Sequence, residues 1–186
     1  MQIPFPNKKY NIIYADPPWH YGSKSAVNNT TGSEIKPLSD HYDTMTLQEL
    51  KELPIKNITK DDAVCFMWVT DSHLDEALEI FKAWGFKYKT IAFNWVKITS
   101  KGNYCKNVAP WTMKSSEICL LGVKGTMSKY KQANNIESLV IAERTKHSKK
   151  PQEVRNRIEL LFGDLPRIEL FARQTAEGWD SWGNEV

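Results

Sequence analysis

Apolar positions in this chain follow two rhythms. Continuous apolar runs at 10–15, 63–69 and 117–123 have the pattern of strands covered on both faces. Apolar residues spaced as Leu74, Ala77, Leu78, Phe81 and Trp84 instead predict a helix over about 72–84, with Thr70, Asp71 and Ser72 as polar caps and Gly85 as its stop. The residues at 86–98 return as a strand, so strand, helix and strand make a crossover unit. Thr46 and Glu49 have the spacing of a capping box, and with Leu50 and Leu53 they predict a two-turn helix ending before Pro54. Later, a short strand candidate at 139–141 stands alone in the polar stretch 124–150. A helix with Pro151 in its first turn then runs through Val154, Ile158, Leu161 and Phe162 to Gly163, and 168–172 reads as the closing strand. The segment 20–43 is rich in Ser, Asn, Thr, Gly and Lys without apolar periodicity, a long loop of the kind that is functional or disordered, and 100–112 is also loop-like.

Strands alternating with helices predict an α/β fold, a mostly parallel sheet flanked by helices, with ligand sites at the carboxyl ends of its strands. That rule selects 16–19, the surroundings of 112–116, and the chain from Arg173 onward. Composition adds limits. With 186 residues, 41% hydrophobic and 25% charged, the chain is expected to form a single domain over 1–186. No apolar run approaches a membrane span and the first residues lack a signal-peptide pattern, so no membrane partner and a cytoplasmic location are expected. Three cysteines without metal-like spacing argue against a disulfide scaffold, and four unclustered histidines against a metal site. A net charge of +3 permits a polyanionic partner without requiring one. The seven tryptophans are the more unusual feature, because an indole is costly to bury unless its ring or N–H has a partner.

The sharpest chemistry is Asp16-Pro17-Pro18-Trp19, which follows the first strand directly. A carboxylate, a stiff double-proline turn and an aromatic ring make a preformed slot for a planar amine. The Asp16 carboxylate and the Pro17 carbonyl would accept hydrogen bonds from one exocyclic amino group and localise its lone pair for attack. Pro17 and Pro18 hold the backbone rigid and bring no competing N–H. Trp19 would stack on the base. The alternative is a plain Asp-Pro-Pro turn with Trp19 packed beneath it.

This motif resembles the signature of the MT-A70 family, whose members methylate the 6-amino group of adenine. Further blocks agree in order: His41-Tyr42-Asp43-Thr44-Met45-Thr46, Trp95-Val96-Lys97, Trp111-Thr112 with Glu117, His147-Ser148-Lys149-Lys150-Pro151, Ile168-Glu169-Leu170-Phe171-Ala172-Arg173, and Gly178 through Glu185. The match covers nearly the whole chain and is closest in form to the short bacterial and phage branch. The resemblance implies a Rossmann-like methyltransferase fold and S-adenosyl-L-methionine as methyl donor. It implies that Lys150 meets the donor's methionine carboxylate, helped by a helix N-terminus. Asp16 would also border the donor, Glu169, Leu170, Phe171 and Arg173 would form its wall, and Asn184 and Glu185 would contact its ribose or adenine. Without the resemblance, Lys150 reads as a solvated lysine, and Leu170 and Phe171 as core. Gln174-Thr175-Ala176 departs from the His-Asn of longer relatives, and no Gly-x-Gly-x-x-Gly fingerprint is present.

For the target, His20, Tyr21, Lys24, Trp111 and Lys114 are the candidate nucleic-acid contacts, within a wider set including Lys36, Lys97, Lys101, Lys106 and Tyr104. They mix phosphate-binding cations with stacking rings, although ordinary loop lysines give the same pattern. The expected function is transfer of a methyl group to the 6-amino group of adenine in DNA, flipped out or single-stranded, by a monomer or homodimer. The competing readings are the same reaction on RNA and a catalytically silent nucleic-acid-binding subunit.

Overall fold

A computed structural model describes residues 3–20, 44–109, 111–145 and 149–186. Seven strands lie in one sheet: β1 (Tyr10–Ala15), β2 (Thr59–Val69), β3 (Lys87–Ile98), β4 (Ser116–Lys124), β5 (Leu139–Glu143), β6 (Arg167–Leu170) and β7 (Asp180–Trp182). Their order is β5-β3-β4-β2-β1-β6-β7, and every strand is parallel to β1 except β4, which runs antiparallel to β2 and β3. The mostly parallel α/β sheet is therefore present as expected. Among the described residues three α-helices accompany it: α1 (Leu47–Glu52), α2 (Leu74–Trp84) and α3 (Gln152–Phe162). None of the described helices is long and apolar enough to cross a membrane.

The alternation of β1 sorts the core into two layers. Ile13 and Ala15 pack with Leu50 of α1 and with Ala77, Ile80, Phe81 and Trp84 of α2. Ile12 and Tyr14 face the other way, onto Val154, Ile158 and Phe162 of α3. Thr46 caps α1 as the sequence requires, its hydroxyl accepting from the Glu49 N–H while the Glu49 carboxylate accepts from the Thr46 N–H. Gly85 ends α2 at φ 86, a left-handed conformation that favours glycine.

Several expectations change. The crossover from β2 through α2 to β3 skips one place in the sheet, and β4 fills the gap. The helix α2 begins two residues after 72, following a short 3-10 turn at Asp71–His73. It is also rotated, so that Ala77, Ile80, Phe81 and Trp84 are buried, whereas Leu74 and Leu78 stay about two-fifths exposed. The strand at 168–172 is shorter, ending at Leu170, and it does not close the sheet. Beyond it lies β7, whose three residues are too few for a periodic signal. Most of the long loop proposed at 20–43 lies outside the described residues.

Candidate active site

Because the strands are parallel, the ends of β1, β2, β3, β6 and β7 and the start of the antiparallel β4 come to one edge. Asp16 stands there directly after β1, half-buried, and Lys150 meets it from the residue pair that leads into α3. The Lys150 ammonium donates to the Asp16 carboxylate at 2.7 Å, lies 3.4 Å from the Glu117 carboxylate, and sits 5.5 Å over the Trp68 ring. Glu117, second residue of β4, also receives the Lys97 ammonium, which lies 4.9 Å over Trp95 near the end of β3. Asp16, Lys150, Glu117 and Lys97 thus form an alternating row of four charges on a floor of indoles.

The row is nearly dry. Burial opposes the charged forms, yet the Lys150 and Lys97 ammoniums outweigh it at Glu117 and hold that carboxyl below its ordinary range. Burial likewise disfavours charge on Lys150, but Asp16 and Glu117 outweigh it and raise the ammonium above the ordinary lysine value. Glu117 and Lys150 therefore remain ionised at neutral pH, and the site keeps both a fixed acid and a fixed cation.

The double proline behaves as a rigid turn. The Trp19 N–H donates to the Pro17 carbonyl at 2.9 Å, and the Met45 N–H donates to the Pro18 carbonyl at 2.9 Å. A carbonyl oxygen has two lone pairs, so Pro17 retains one for a further donor. Trp19 does not stand free as a stacking plate: it is 6% exposed, its indole N–H donates to the Trp68 carbonyl at 3.3 Å, and its ring stacks on His73 at 5.2 Å. The packed-beneath arrangement, the alternative left open by the sequence, is the one found. An indole at a strand end beside apolar helices gains more from burial than from solvent.

The remaining candidates separate into two groups. Glu169 is 8% exposed and held bidentately by Arg155 of α3, at 2.8 and 2.7 Å, so its oxygens face a guanidinium. Burial pushes the Glu169 carboxyl above its usual value even with Arg155 beside it. Leu170 is fully buried among the side chains on the α1 and α2 side, where its neighbours are apolar, and does not face solvent. Phe171 leaves β6 at φ 60, a rare and costly conformation for an aromatic residue, and turns its ring edge-on to Trp182 at 5.5 Å. Trp182 is stacked on Phe5 from the other side at 4.2 Å. Beyond these, Arg173 lies 3.7 Å from Glu185, and Arg173, Asn184 and Glu185 are exposed at the ends of β6 and β7.

Among the nucleic-acid candidates, Tyr21 and Lys24 lie outside the described residues, as does Lys36. His20 is exposed, its Nδ1 2.9 Å from the Thr44 hydroxyl. Trp111 is 95% exposed, and Lys114 is paired with Asp71 at 2.7 Å.

Sequence reasoning missed the Glu117–Lys97 pair and Arg155. A signal existed for each. Lys97 continues the buried alternation Phe93, Trp95 along β3, and Arg155 falls within the buried stripe Val154, Ile158, Phe162 of α3. A cation on a buried face requires a buried acid.

The donor set suits a zwitterionic, nucleoside-bearing group. Lys150 offers a third ammonium hydrogen to a carboxylate, while Arg173, Asn184 and Glu185 offer donors and acceptors to hydroxyls and a base edge.

The MT-A70 family profile matches residues 10–185. The chain is 38% identical over 191 residues to the type II methyltransferase M.MunI of Mycoplasma sp., covering 97% of this chain and 79% of that protein. It is 28% identical over 182 residues to the human N(6)-adenosine-methyltransferase catalytic subunit METTL3, covering 96% of this chain but only 28% of that protein. An MT-A70-like N(6)-adenosine-methyltransferase of Arabidopsis thaliana is 27% identical over 182 residues, with 95% and 24% covered.

Proposed function

The chain belongs to the MT-A70 family of adenine-N(6) methyltransferases, and from that premise we propose that it methylates the 6-amino group of adenine in DNA with S-adenosyl-L-methionine as donor. The observation that carries the reading is the pair of acceptors at the end of β1, the Asp16 carboxylate and the remaining lone pair of the Pro17 carbonyl, beside the Lys150 ammonium.

The amine of a flipped or single-stranded adenine donates one N–H to Asp16 and the other to Pro17. Two acceptors fixed on a rigid turn draw the planar amine toward tetrahedral geometry and aim its lone pair away from them. Lys150 holds Asp16 in place through their ion pair and directs its free hydrogen to the donor's carboxylate. Arg173, Asn184 and Glu185 hold the ribose and adenine of the donor, with Phe171 as the apolar wall. The donor supplies an electrophilic methyl group on sulfur. Trp19 supports the turn from below, while Trp111 stacks on the nucleic acid and lysines beside it meet phosphate. Glu169 and Leu170 serve the scaffold in this reading.

DNA is favoured over RNA by the likeness to M.MunI, which extends over most of that protein, whereas the RNA-modifying relatives are matched over about a quarter of their length. The reading is tested with DNA from a methylation-free host and labelled donor, beside RNA of matched sequence. The chain is expected to label DNA at adenine, and Asp16→Ala to abolish labelling while donor binding by calorimetry persists. Near-normal turnover by Asp16→Ala would refute the role of Asp16, and labelling of RNA alone would assign the other substrate.

A further inference from the structure

The connection between β3 and β4 is a stiff finger rooted in the charged row. Lys97 and Glu117, the pair at its two roots, join Asp16 through Lys150. Within the finger, Cys105 is buried, its N–H donating to the Lys97 carbonyl at 2.8 Å. Asn107 and Lys114 exchange two backbone hydrogen bonds, at 2.9 and 2.8 Å, which close a narrow tip between them. Arg144 braces the outer side, donating from its guanidinium to the Asn107 side chain and from its backbone to the Ile98 carbonyl, both at 2.9 Å. Lys114 pins the inner side to Asp71 beyond the end of β2.

On this rigid stem the tip exposes Val108 at 84%, Trp111 at 95% and Met113 at 54%. From 99 to 115 the sequence contains Lys101, Lys106 and Lys114 and no acidic residue. An apolar point with cations set behind it is complementary to a base stack between phosphate backbones. The half-buried Asp16 is reached only by a base that has left its stack, and that departure leaves a gap beside the finger.

We propose that the finger is a wedge: Trp111, with Val108 and Met113, enters the duplex at the target adenine and fills the vacated place, while Lys101 and Lys106 meet the flanking phosphates. The inference rests on the DNA reading above and names duplex DNA as the substrate form. The experiment compares turnover on one methylation-free genomic DNA used native and heat-denatured, for the unaltered chain and for Trp111→Ala. Stacking by Trp111 is lost on either form, but a wedge matters most where a stack must be opened, so the duplex-to-denatured turnover ratio falls at least tenfold in Trp111→Ala and recovers largely in Trp111→Phe. The ring is solvent-exposed, so the melting midpoint is expected to hold, and a lost ratio then reads function rather than folding. Equal losses on both forms, no loss, or an unaltered chain that labels only denatured DNA would each overturn the wedge. A dimer dissolved by Trp111→Ala with the ratio unchanged would assign the finger to a second copy and overturn it too. An unaltered chain inactive on both DNA forms would overturn the DNA reading itself, and the wedge with it.

Discussion

The Lys150 ammonium lies 2.7 Å from the Asp16 carboxylate, joining two residues 134 positions apart in sequence and placing a cation between two acids, since Glu117 is 3.4 Å away on its other side. Removing that cation leaves Asp16 and Glu117 facing each other as like charges in a poorly hydrated site. Lys150→Met is therefore expected to lower kcat/KM for methyl transfer by roughly one to three orders of magnitude, the range seen when one preorganised electrostatic partner is lost. Its remaining activity should need a higher pH than that of the unaltered chain, because Lys150 is the foremost charge lowering the Glu117 carboxyl, which holds a proton more readily once that charge is gone. Initial rates from pH 5 to 9 on saturating DNA check this. An unshifted acidic limb would detach Lys150 from Glu117.

Glu117 ties stability to pH. Its carboxyl is depressed below the ordinary range, so its contribution is complete above the unfolded value of about 4.3 and is lost as pH falls through the lower folded value. Lys150, raised above the ordinary lysine value, contributes fully below about 10.4 and loses that contribution as pH rises through its folded value. Between those limits Glu117→Gln leaves Lys97 without its acid and Lys150 with Asp16 alone, cations that are 11 and 10% exposed, at a cost of about 3 kcal/mol, the low end for breaking a buried ionic contact. Urea midpoints of both chains, taken across pH, should show that difference as a plateau that narrows only in acid. A difference that persists undiminished at pH 3 would mean that the substituted amide fails by packing rather than by charge.

What could be read from the sequence follows from the reach of each signal. Runs of one type within a few residues mark β1, β2 and β4, the capping box of α1 and the stop at Gly85, and the strand-end rule selects Asp16, whereas Lys150 stands out only through the family resemblance. Pairing over longer distances has no such mark. Nothing local in 116–124 tells that β4 enters antiparallel between β2 and β3, yet that reversal is what carries Glu117, at the start of its strand, to the edge where the other strands end. The rotation of α2 was equally hidden, because Leu78 and Ile80 are both apolar and only the packed sheet chooses between them. The packing of Trp19 carries no local mark either, because its partners, His73 and the Trp68 carbonyl, lie about fifty residues away.

The Arg155–Glu169 pair distinguishes scaffold from donor contact at Glu169. Both side chains are within a tenth of full burial, at 3 and 10% exposure, so Arg155→Ala leaves an unpaired acid in an apolar layer and is expected to cost about 3 to 5 kcal/mol. Replacing both partners, as Arg155→Met with Glu169→Leu, removes the charge along with its need and should recover most of that loss. Denaturant unfolding of Arg155→Met, Glu169→Leu and the double variant measures the coupling. If Glu169 instead contacts the donor, the double variant will regain stability but bind S-adenosyl-L-methionine far more weakly; unchanged donor affinity by calorimetry supports the scaffold role.

Gly122 carries the seam between α2 and the sheet. A Cβ built on it would lie 2.7 Å from Phe81 Cδ1 and 3.0 Å from Phe86 Cβ, closer than carbon atoms pack, and both rings belong to the filled layer beneath α2. Nothing flexible can yield, since Phe81 is 1% exposed and Phe86 4%. Gly122→Ala is thus an overpacking substitution, expected to cost about 1 to 3 kcal/mol in urea unfolding. Phe81→Leu removes the nearest ring atoms, so the pair of changes should cost less than the sum of the two alone, a negative coupling of about 1 kcal/mol or more for residues in direct contact. Strict additivity would place the added methyl elsewhere than against Phe81. The seam also bears on activity, because β4 carries Glu117 at one end and Gly122 further along. A strand displaced at Gly122 shifts Glu117 relative to Lys150, so Gly122→Ala is expected to lower methyl transfer even at temperatures where the chain stays folded by circular dichroism.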